Sequence, residues 1–405
     1  MSGENSCREV SIVGGIYREV CYWPVWNKVF GSGWRAVRVF RTLCPDARIS
    51  FYSVGNEEIQ KMMKVYSLSE PLTTYITPSV SNVSFYYKHP LSQPTIQPER
   101  EDYRQLDVAG RNVIGFGMIE AYTKIDGDKV VYDPQSPYHP LSFREQGGKA
   151  AHLALVMNES EARMLSGEDN LLAMRNALFE KDGCECLVIK CGAKGAIVFQ
   201  SADDKGVSIP VFRTPHVWPI GSGDIFTTVF ASSWFNGLSP EASARKASRA
   251  AAVYCDAASY EDISDKLQQD SYKAFVPKSK GQVYLAGPFF TLSEKLFVDE
   301  CRNLLAAMGA HVFSPYHEIG EGEAYDVTPK DLEALDNSVC VFAIVDGLDS
   351  GTLFEIGYAV AHEKRVVAYV ENETEGALKM LKGTGCDVES DFTTAIYKAC
   401  WYAAE

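Results

Sequence analysis

The chain has 405 residues, 46% of them hydrophobic and 23% charged, with a formal net charge of −14. That length predicts two or three domains with sizeable cores. The acidic balance argues against polymeric nucleic acid and membrane surfaces as partners; small phosphorylated ligands stay open, because local backbone amides can hold them. Eleven cysteines, an odd number without a C-x-x-C pair, predict neither a disulfide framework nor a structural zinc site and fit a reduced, cytoplasmic setting. The polar opening MSGENSCREV predicts no signal peptide, and no apolar run nears the roughly 18 residues of a membrane span.

Short β-branched runs alternate with helical patterns from the start. Val10–Val13, Ala47–Val54, Asn112–Phe116 and Leu187–Lys190 read as strands, and Gly237–Tyr254 reads as one long helix. This alternation predicts α/β layers around mainly parallel sheets. Thr73–Tyr87 alternates Thr, Ser and Val with Tyr and reads instead as antiparallel strands. Three stretches here could carry chemistry. Asn158-Glu-Ser-Glu161 follows the strand His152–Met157 and could be a helix cap or a magnesium and phosphate site. Cys191-Gly192-Ala-Lys194-Gly195 is a tight turn between strands. Trp218-Pro-Ile-Gly221-Ser222-Gly223-Asp224 sets glycines before a helix, which exposes successive N–H groups to an anion. Asp224 could there take a proton from an attacking hydroxyl, or the segment could be a plain loop and helix cap.

The polar, proline-containing stretch Phe275–Gly281 reads as a break, giving domains 1–275 and 282–405 with a linker at 276–281. Beyond it run the strand Gln282–Ala286, the helix Ser293–Met308 and the strand Ala310–Phe313. A helix end at Asp331–Asn337, the buried strand Val339–Val345, the helix Thr352–His362 and the strand Arg365–Val370 follow. This is the pattern of a smaller, flavodoxin- or Rossmann-like doubly wound parallel sheet, with ligands expected beyond the carboxyl ends of its strands. At one such end Asp349 or Ser350 can cap a helix, and Gly351 lets the backbone turn tightly and a ligand approach. Glu355 reads as lying in the first helical turn, where the helix dipole favours the ionised carboxylate. It stands among Leu-Phe-Glu-Ile-Gly-Tyr-Ala, where an acid needs a reason. Each acid alone is better explained as a cap or a surface residue. Together they suit cleavage of an N-glycosidic bond: one carboxylate meets an oxocarbenium-like sugar and a second carboxyl group gives a proton to the leaving base.

The motifs Tyr284-Leu-Ala-Gly287-Pro-Phe289, Asp331 and Asp349-Ser350-Gly351-Thr-Leu-Phe-Glu355-Ile-Gly-Tyr-Ala resemble the nucleoside 2-deoxyribosyltransferase family over Gly281–Glu405. The resemblance implies Glu355 as the glycosyl-accepting nucleophile, Asp331 as proton donor or base-recognition group, Asp349 on the sugar hydroxyls and Tyr284 orienting the nucleophile. It implies Gly287, Phe289, Ser350 and Gly351 as substrate-binding positions, a homo-oligomer, no cofactor, and nucleosides, nucleotides or free bases as small-molecule partners. Relatives that hydrolyse deoxynucleoside monophosphates share the scaffold, so transfer against hydrolysis stays open, as does nucleoside against monophosphate. Pro288 stands where some members carry an aromatic residue.

Val10–Tyr254 resembles the PfkB or ribokinase-like kinases through Gly14-Gly15, Asp133-Pro134, Asn158 with Glu161, Gly192–Gly195 and Gly221–Asp224. The resemblance implies a ribokinase-like α/β sandwich using Mg-ATP. ATP would lie near Gly192 and Gly195, Asn158 and Glu161 would support magnesium, Gly221, Ser222 and Gly223 would form the anion hole, and Asp224 would be the base. Trp218-Pro219-Ile220 replaces the usual acid and threonines, Gly31-Ser-Gly33-Trp-Arg35-Ala replaces a glycine-rich, asparagine-containing sugar motif, and Glu19 stands for a sugar-contacting aspartate. No structural metal is expected, since neither His216 nor His362 joins a ligand cluster. The expectation is a two-domain α/β enzyme of nucleoside metabolism: an N-glycosyl transferase or hydrolase fused to a sugar or nucleoside kinase-like domain. The alternative is that the kinase-like domain is catalytically retired and serves as a nucleotide-binding sensor or assembly module.

Overall fold

The computed structural model describes residues 8–98, 104–136, 138–269, 272–278, 280–320 and 322–405. Residues 1–7 of the polar opening and Ser279 of the expected linker lie outside them. The chain divides into two compact units, one of Met1–Thr214 with Trp218–Val276, the other of Pro215–Val217 with Pro277–Glu405. Among the described residues no helix is long and apolar enough to cross a membrane.

The first unit is built on a nine-stranded sheet. From edge to edge it runs Val207–Ile209, Ala196–Phe199, Cys186–Lys190, Lys149–Asn158, Ala121–Asp133, Arg104–Phe116, Glu9–Val13, Arg48–Gly55 and Leu72–Pro78. The first two junctions are antiparallel and the other six parallel. Successive side chains of a strand point to opposite faces, and the sequence uses this to fill two cores. Ala154, Val156, Cys186 and Val188 face the helices Gly31–Leu43, Ser222–Phe235 and Pro240–Ala257, while Leu153, Leu155, Met157, Leu187 and Ile189 face Glu159–Ser166 and Leu171–Asp182. A second sheet orders Trp26–Val29, Arg18–Cys21, Ser84–Tyr87 and Thr95–Gln97.

Two expectations need correction here. Thr73–Tyr87 is not an antiparallel pair: Leu72–Pro78 joins Arg48–Gly55 in parallel, and Ser84–Tyr87 belongs to the second sheet, parallel to Arg18–Cys21. Alternation reports a strand with one face exposed, and an edge strand of a parallel sheet meets that condition too. The long helix starts at Pro240, capped by the Ser239 side chain on the Ala242 N–H, rather than at Gly237. Gly237 has φ +88° and ends the preceding segment.

The glycines near the N-terminus serve a backbone crossing. The Gly15 carbonyl accepts from the N–H groups of Gly33 and Trp34, so the start of the helix Gly31–Leu43 lies on the Gly14-Gly15 strand end. A Cβ on Gly33 would fall 2.5 Å from the Gly14 carbonyl. Gly33→Ala is therefore expected to destabilise the first unit by about 1–3 kcal/mol, as overpacking does. A lowered midpoint for this unit in urea denaturation checks it, and an unchanged midpoint contradicts the crossing.

The second unit is a five-stranded, all-parallel sheet ordered His311–Phe313, Gln282–Ala286, Cys340–Ile344, Arg365–Tyr369 and Asp387–Glu389. Its fifth strand and the closing helix Phe392–Ala403 extend the sequence reading, which stopped at Val370. Tyr284, Ala286, Val341, Ala343 and Ala368 pack on one face with Leu335, Ile356 and Ala359. Those residues bring the helices Ala324–Asn337 and Ser350–Ala361 over that face.

Candidate active sites

In the second unit, helical spacing carries two acids to Tyr284. Asp331 precedes Leu335 by one turn, and Glu355 precedes Ala359 by one turn; both apolar partners pack on the Tyr284 face. The Tyr284 hydroxyl donates to Glu355 Oε1 at 2.6 Å. Burial first, and then the negative charges of Asp331 and Asp349, push the Glu355 carboxyl up to about 7, against the lowering effect of the Tyr284 hydrogen bond. Burial also raises Asp331, whose Oδ1 is buried without a partner. Asp349 caps its helix, with Oδ2 accepting from the Thr352 N–H at 2.8 Å and the Thr352 hydroxyl at 3.0 Å.

Several sequence expectations change. Glu355 lies in the second turn, not the first, because the helix already starts at Ser350. The dipole acts mainly within the first turn, so burial wins and the carboxyl is raised rather than kept firmly ionised. Gly351 is helical; the tight turn falls at Gly347 and Leu348, with φ of +86° and +50°. Asp349, not Ser350, is the cap. Asp331 stands mid-helix rather than at a helix end or loop. Gly287 approaches Ile344 at the sheet, where an added Cβ would lie 3.1 Å away. The Phe289 ring lies tilted against Tyr316, with centroids 5.4 Å apart, and Tyr316 is a residue the sequence does not single out. An aromatic residue just after the strand His311–Phe313, at the same sheet edge, was the available signal.

In the first unit the helix Ser222–Phe235 opens at Gly221, with φ +84°, and presents Ser222, Gly223 and Asp224. Asp224 is fully engaged: Arg35 Nη1 donates to its Oδ2 at 2.5 Å and Gln135 Nε2 to its Oδ1 at 2.5 Å. Arg35 Nη2 donates to Glu19 Oε2 at 2.6 Å, and all three charged side chains are buried. A Cβ on Gly221 would meet the Arg35 guanidinium at 2.3 Å, so the arginine lies directly against the glycine turn. On the other side Lys190 Nζ pairs with Asp133 Oδ2 at 2.7 Å, an oxygen that also accepts from the Thr227 hydroxyl at 2.7 Å.

Asn158 and Glu161 form a capping box, each side chain bound at 2.8 Å to the other's backbone N–H. Burial and the Asp133 charge push Glu161 up to about 7. Gly192–Lys194 is a single short helical turn closed by Gly195. Arg35, Gln135 and Lys190 were not named as site residues from sequence. An arginine inside the apolar helix start Gly33-Trp34-Arg35-Ala36-Val37 was the visible sign. Among the described residues no cluster of three or more His, Cys, Asp or Glu could hold a metal ion.

A family model described as nucleoside 2-deoxyribosyltransferase matches residues 283–392, and one described as pfkB family carbohydrate kinase matches residues 116–264. Comparison with curated proteins gives no match. A fructokinase double mutant from Vibrio cholerae, solved with fructose, ADP and potassium, is 13% identical with a TM-score of 0.50, over 65% of this chain and 98% of that one. Ribokinase from Thermotoga maritima is 16% identical with a TM-score of 0.46, over 64% and 97%. The nucleoside kinase of Methanocaldococcus jannaschii is 13% identical with a TM-score of 0.46, over 65% and 97%. At such identities the fructokinase likeness shows the fold alone. The chain thus joins a PfkB-type kinase domain to a nucleoside deoxyribosyltransferase domain.

The raised Glu355 has a consequence for stability. Its folded value is about 7 against an ordinary 4.5, so the folded state binds this proton more tightly than the unfolded chain. Stability from this group is then fully present below pH 4.5 and is lost as pH rises to 7. Glu355→Gln is expected to raise the melting temperature at pH 8 and to give no such gain at pH 4. Equal effects at both pH values in thermal denaturation contradict the raised value.

Proposed function

We propose that the second unit cleaves or exchanges the N-glycosidic bond of a (deoxy)ribonucleoside or its monophosphate, with Glu355 as nucleophile. The observation that carries this reading is the Tyr284–Glu355 hydrogen bond of 2.6 Å beneath two further acids. Tyr284 fixes the carboxylate oxygen and favours its charged form. Ionised Glu355 attacks the anomeric carbon, the C–N bond breaks, and a proton from Asp331 goes to the leaving base. The raised Asp331, with one oxygen unpaired, suits a donor. Asp349 would hold sugar hydroxyls with its free oxygen, and Phe289 would meet the base. Water or a second base then takes the sugar from Glu355. The ionised nucleophile gains population as pH rises through about 7. Glu355→Ala is expected to lower base release, followed by chromatography, about a thousandfold or more, with the fold intact. Unchanged release refutes the assignment.

For the kinase-like unit, one observation supports retirement over phosphoryl transfer. Both oxygens of Asp224 already have side-chain donors, the buried Arg35 and the half-buried Gln135. An acceptor hydroxyl that needs this base must first break the pair with Arg35, and losing a partner of a buried ion pair costs about 3–5 kcal/mol. The unit then binds a nucleotide as a sensor or assembly module without turning it over. Wild type and Asp224→Ala are expected to bind ATP alike and to consume equally little of it with a panel of nucleosides. Nucleoside-dependent consumption by wild type that Asp224→Ala abolishes contradicts retirement.

A further inference from the structure

The second sheet of the first unit has a core of its own. Tyr17, Val83 and Ile96, with Phe85 and Ile119 against them, form a small apolar cluster separate from the two that fill the main sheet. The four strands of this sheet pack chiefly on one another. Its hairpin Arg18–Val29 leaves the main body at Tyr17 and Phe30, which exchange backbone hydrogen bonds of 3.3 and 2.8 Å at its base. Beyond that base the hairpin is tied down by Trp26, tilted against Trp218 with ring centroids 4.7 Å apart, and by Glu19, paired with Arg35 at 2.6 Å. A segment that shares little core with its surroundings opens at low cost, so the buried Glu19–Arg35 pair carries much of the closure.

Arg35 stands at the junction of this sheet with the glycine turn. Its Nη2 holds Glu19, its Nη1 holds Asp224, and its side chain is only 1% exposed. Its Nε has no acceptor, and this nitrogen lies against the turn, 2.3 Å from where a Cβ on Gly221 would stand. The buried indole N–H groups of Trp26 and Trp218 have no acceptor either. These donors lie along one chain of contacts, from Trp218 through Trp26 and Phe30 to Arg35. A buried donor left unpaired costs about 1–3 kcal/mol, and a phosphate is the acceptor that a helix start holds best. A phosphate added here meets two acids already on the arginine, so one of them has to leave. Glu19 can leave with its sheet, whereas Asp224 is fixed in the helix Ser222–Phe235.

We propose that the Glu19–Arg35 pair is a latch, and that the terminal phosphate of a nucleoside triphosphate at Gly221–Gly223 opens it by taking the place of Glu19 on Arg35. This rests on the reading of the first unit as a nucleotide sensor and gives that sensor its output, the release of the second sheet. Nε and Nη2 form one side of the guanidinium, a fork that grips two oxygens of a single phosphate. Glu19 fills only the Nη2 arm, and the Nε arm is empty. The exchange keeps the charges balanced. Arg35 retains Asp224 and trades a carboxylate for a phosphate, while Glu19 returns to water.

Hydrogen exchange of the full chain, read by mass spectrometry with Mg-ATP, with Mg-ADP and without nucleotide, tests the latch. In wild type, Mg-ATP is expected to quicken exchange in Arg18–Cys21 and Ser84–Tyr87 about tenfold or more and to leave the main-sheet strand Arg48–Gly55 unchanged. Mg-ADP, one phosphate shorter, is expected to change neither. Glu19→Gln keeps an oxygen for the Gly31 N–H and gives up the charge. It is expected to exchange without nucleotide as fast as wild type does with ATP, and to gain nothing from ATP. A Glu19 that merely stabilises the sheet quickens the variant but leaves its ATP response in place, and that result overturns the proposal. Wild type that binds ATP in equilibrium dialysis without quickening, or that answers ADP equally, overturns it too and leaves the sensor reading standing. Absence of ATP binding overturns both. Should the variant not fold, the wild-type comparison of ATP with ADP decides.

Discussion

A half-buried carboxyl group tied to a buried tyrosine is the constraint around which the second site is arranged. Glu355 cannot be both half-buried and charged at no cost. The fold sets burial and two neighbouring acids against one strong hydrogen bond, and the balance leaves the group near neutrality, at about 7. Everything that fixes Tyr284 therefore matters to Glu355. Tyr284 is fully buried in the strand Gln282–Ala286, between His311–Phe313 and Cys340–Ile344, with Phe313 stacked at 5.7 Å. The inner position of that strand, paired on both sides, makes the hydroxyl a rigid reference point. The two helices that bring Asp331 and Glu355 to it are held by Leu335, Ile356 and Ala359.

The first unit shows the opposite use of buried charge. There the acid expected to accept a proton is saturated by Arg35 and Gln135, and the arginine is shared with Glu19. A buried network whose members satisfy one another favours one arrangement and resists a newcomer. Two positions that the resemblance sets apart from the kinase pattern, Glu19 and Arg35, are both members of this ion-pair network.

Much of this was legible in the sequence. Strand alternation and glycine punctuation located most strands of the two main sheets, and the family resemblance gathered Tyr284, Asp331, Asp349 and Glu355 into one candidate site. Periodicity does not give strand direction, so it cannot tell the parallel pairings of Leu72–Pro78 and Ser84–Tyr87 from an antiparallel pair. It also could not give the first residue of a helix. Asp349 capping from outside moved the start back to Ser350 and put Glu355 in the second turn, which reversed the expected effect on its ionisation. Partners distant in sequence were invisible as well. Arg35 and Asp224 are 189 positions apart, and Tyr284 and Glu355 are 71 apart; only folding brings them together.

A covalent bond between the sugar and one named carboxylate is the most direct sign of the chemistry assigned to the second unit. Rapidly quenched reactions with a deoxynucleoside, digested and read by mass spectrometry, are expected to show a sugar-mass adduct on the peptide bearing Glu355. Base release at full rate with the adduct on another residue, or with no adduct at any quench time, contradicts the role given to Glu355.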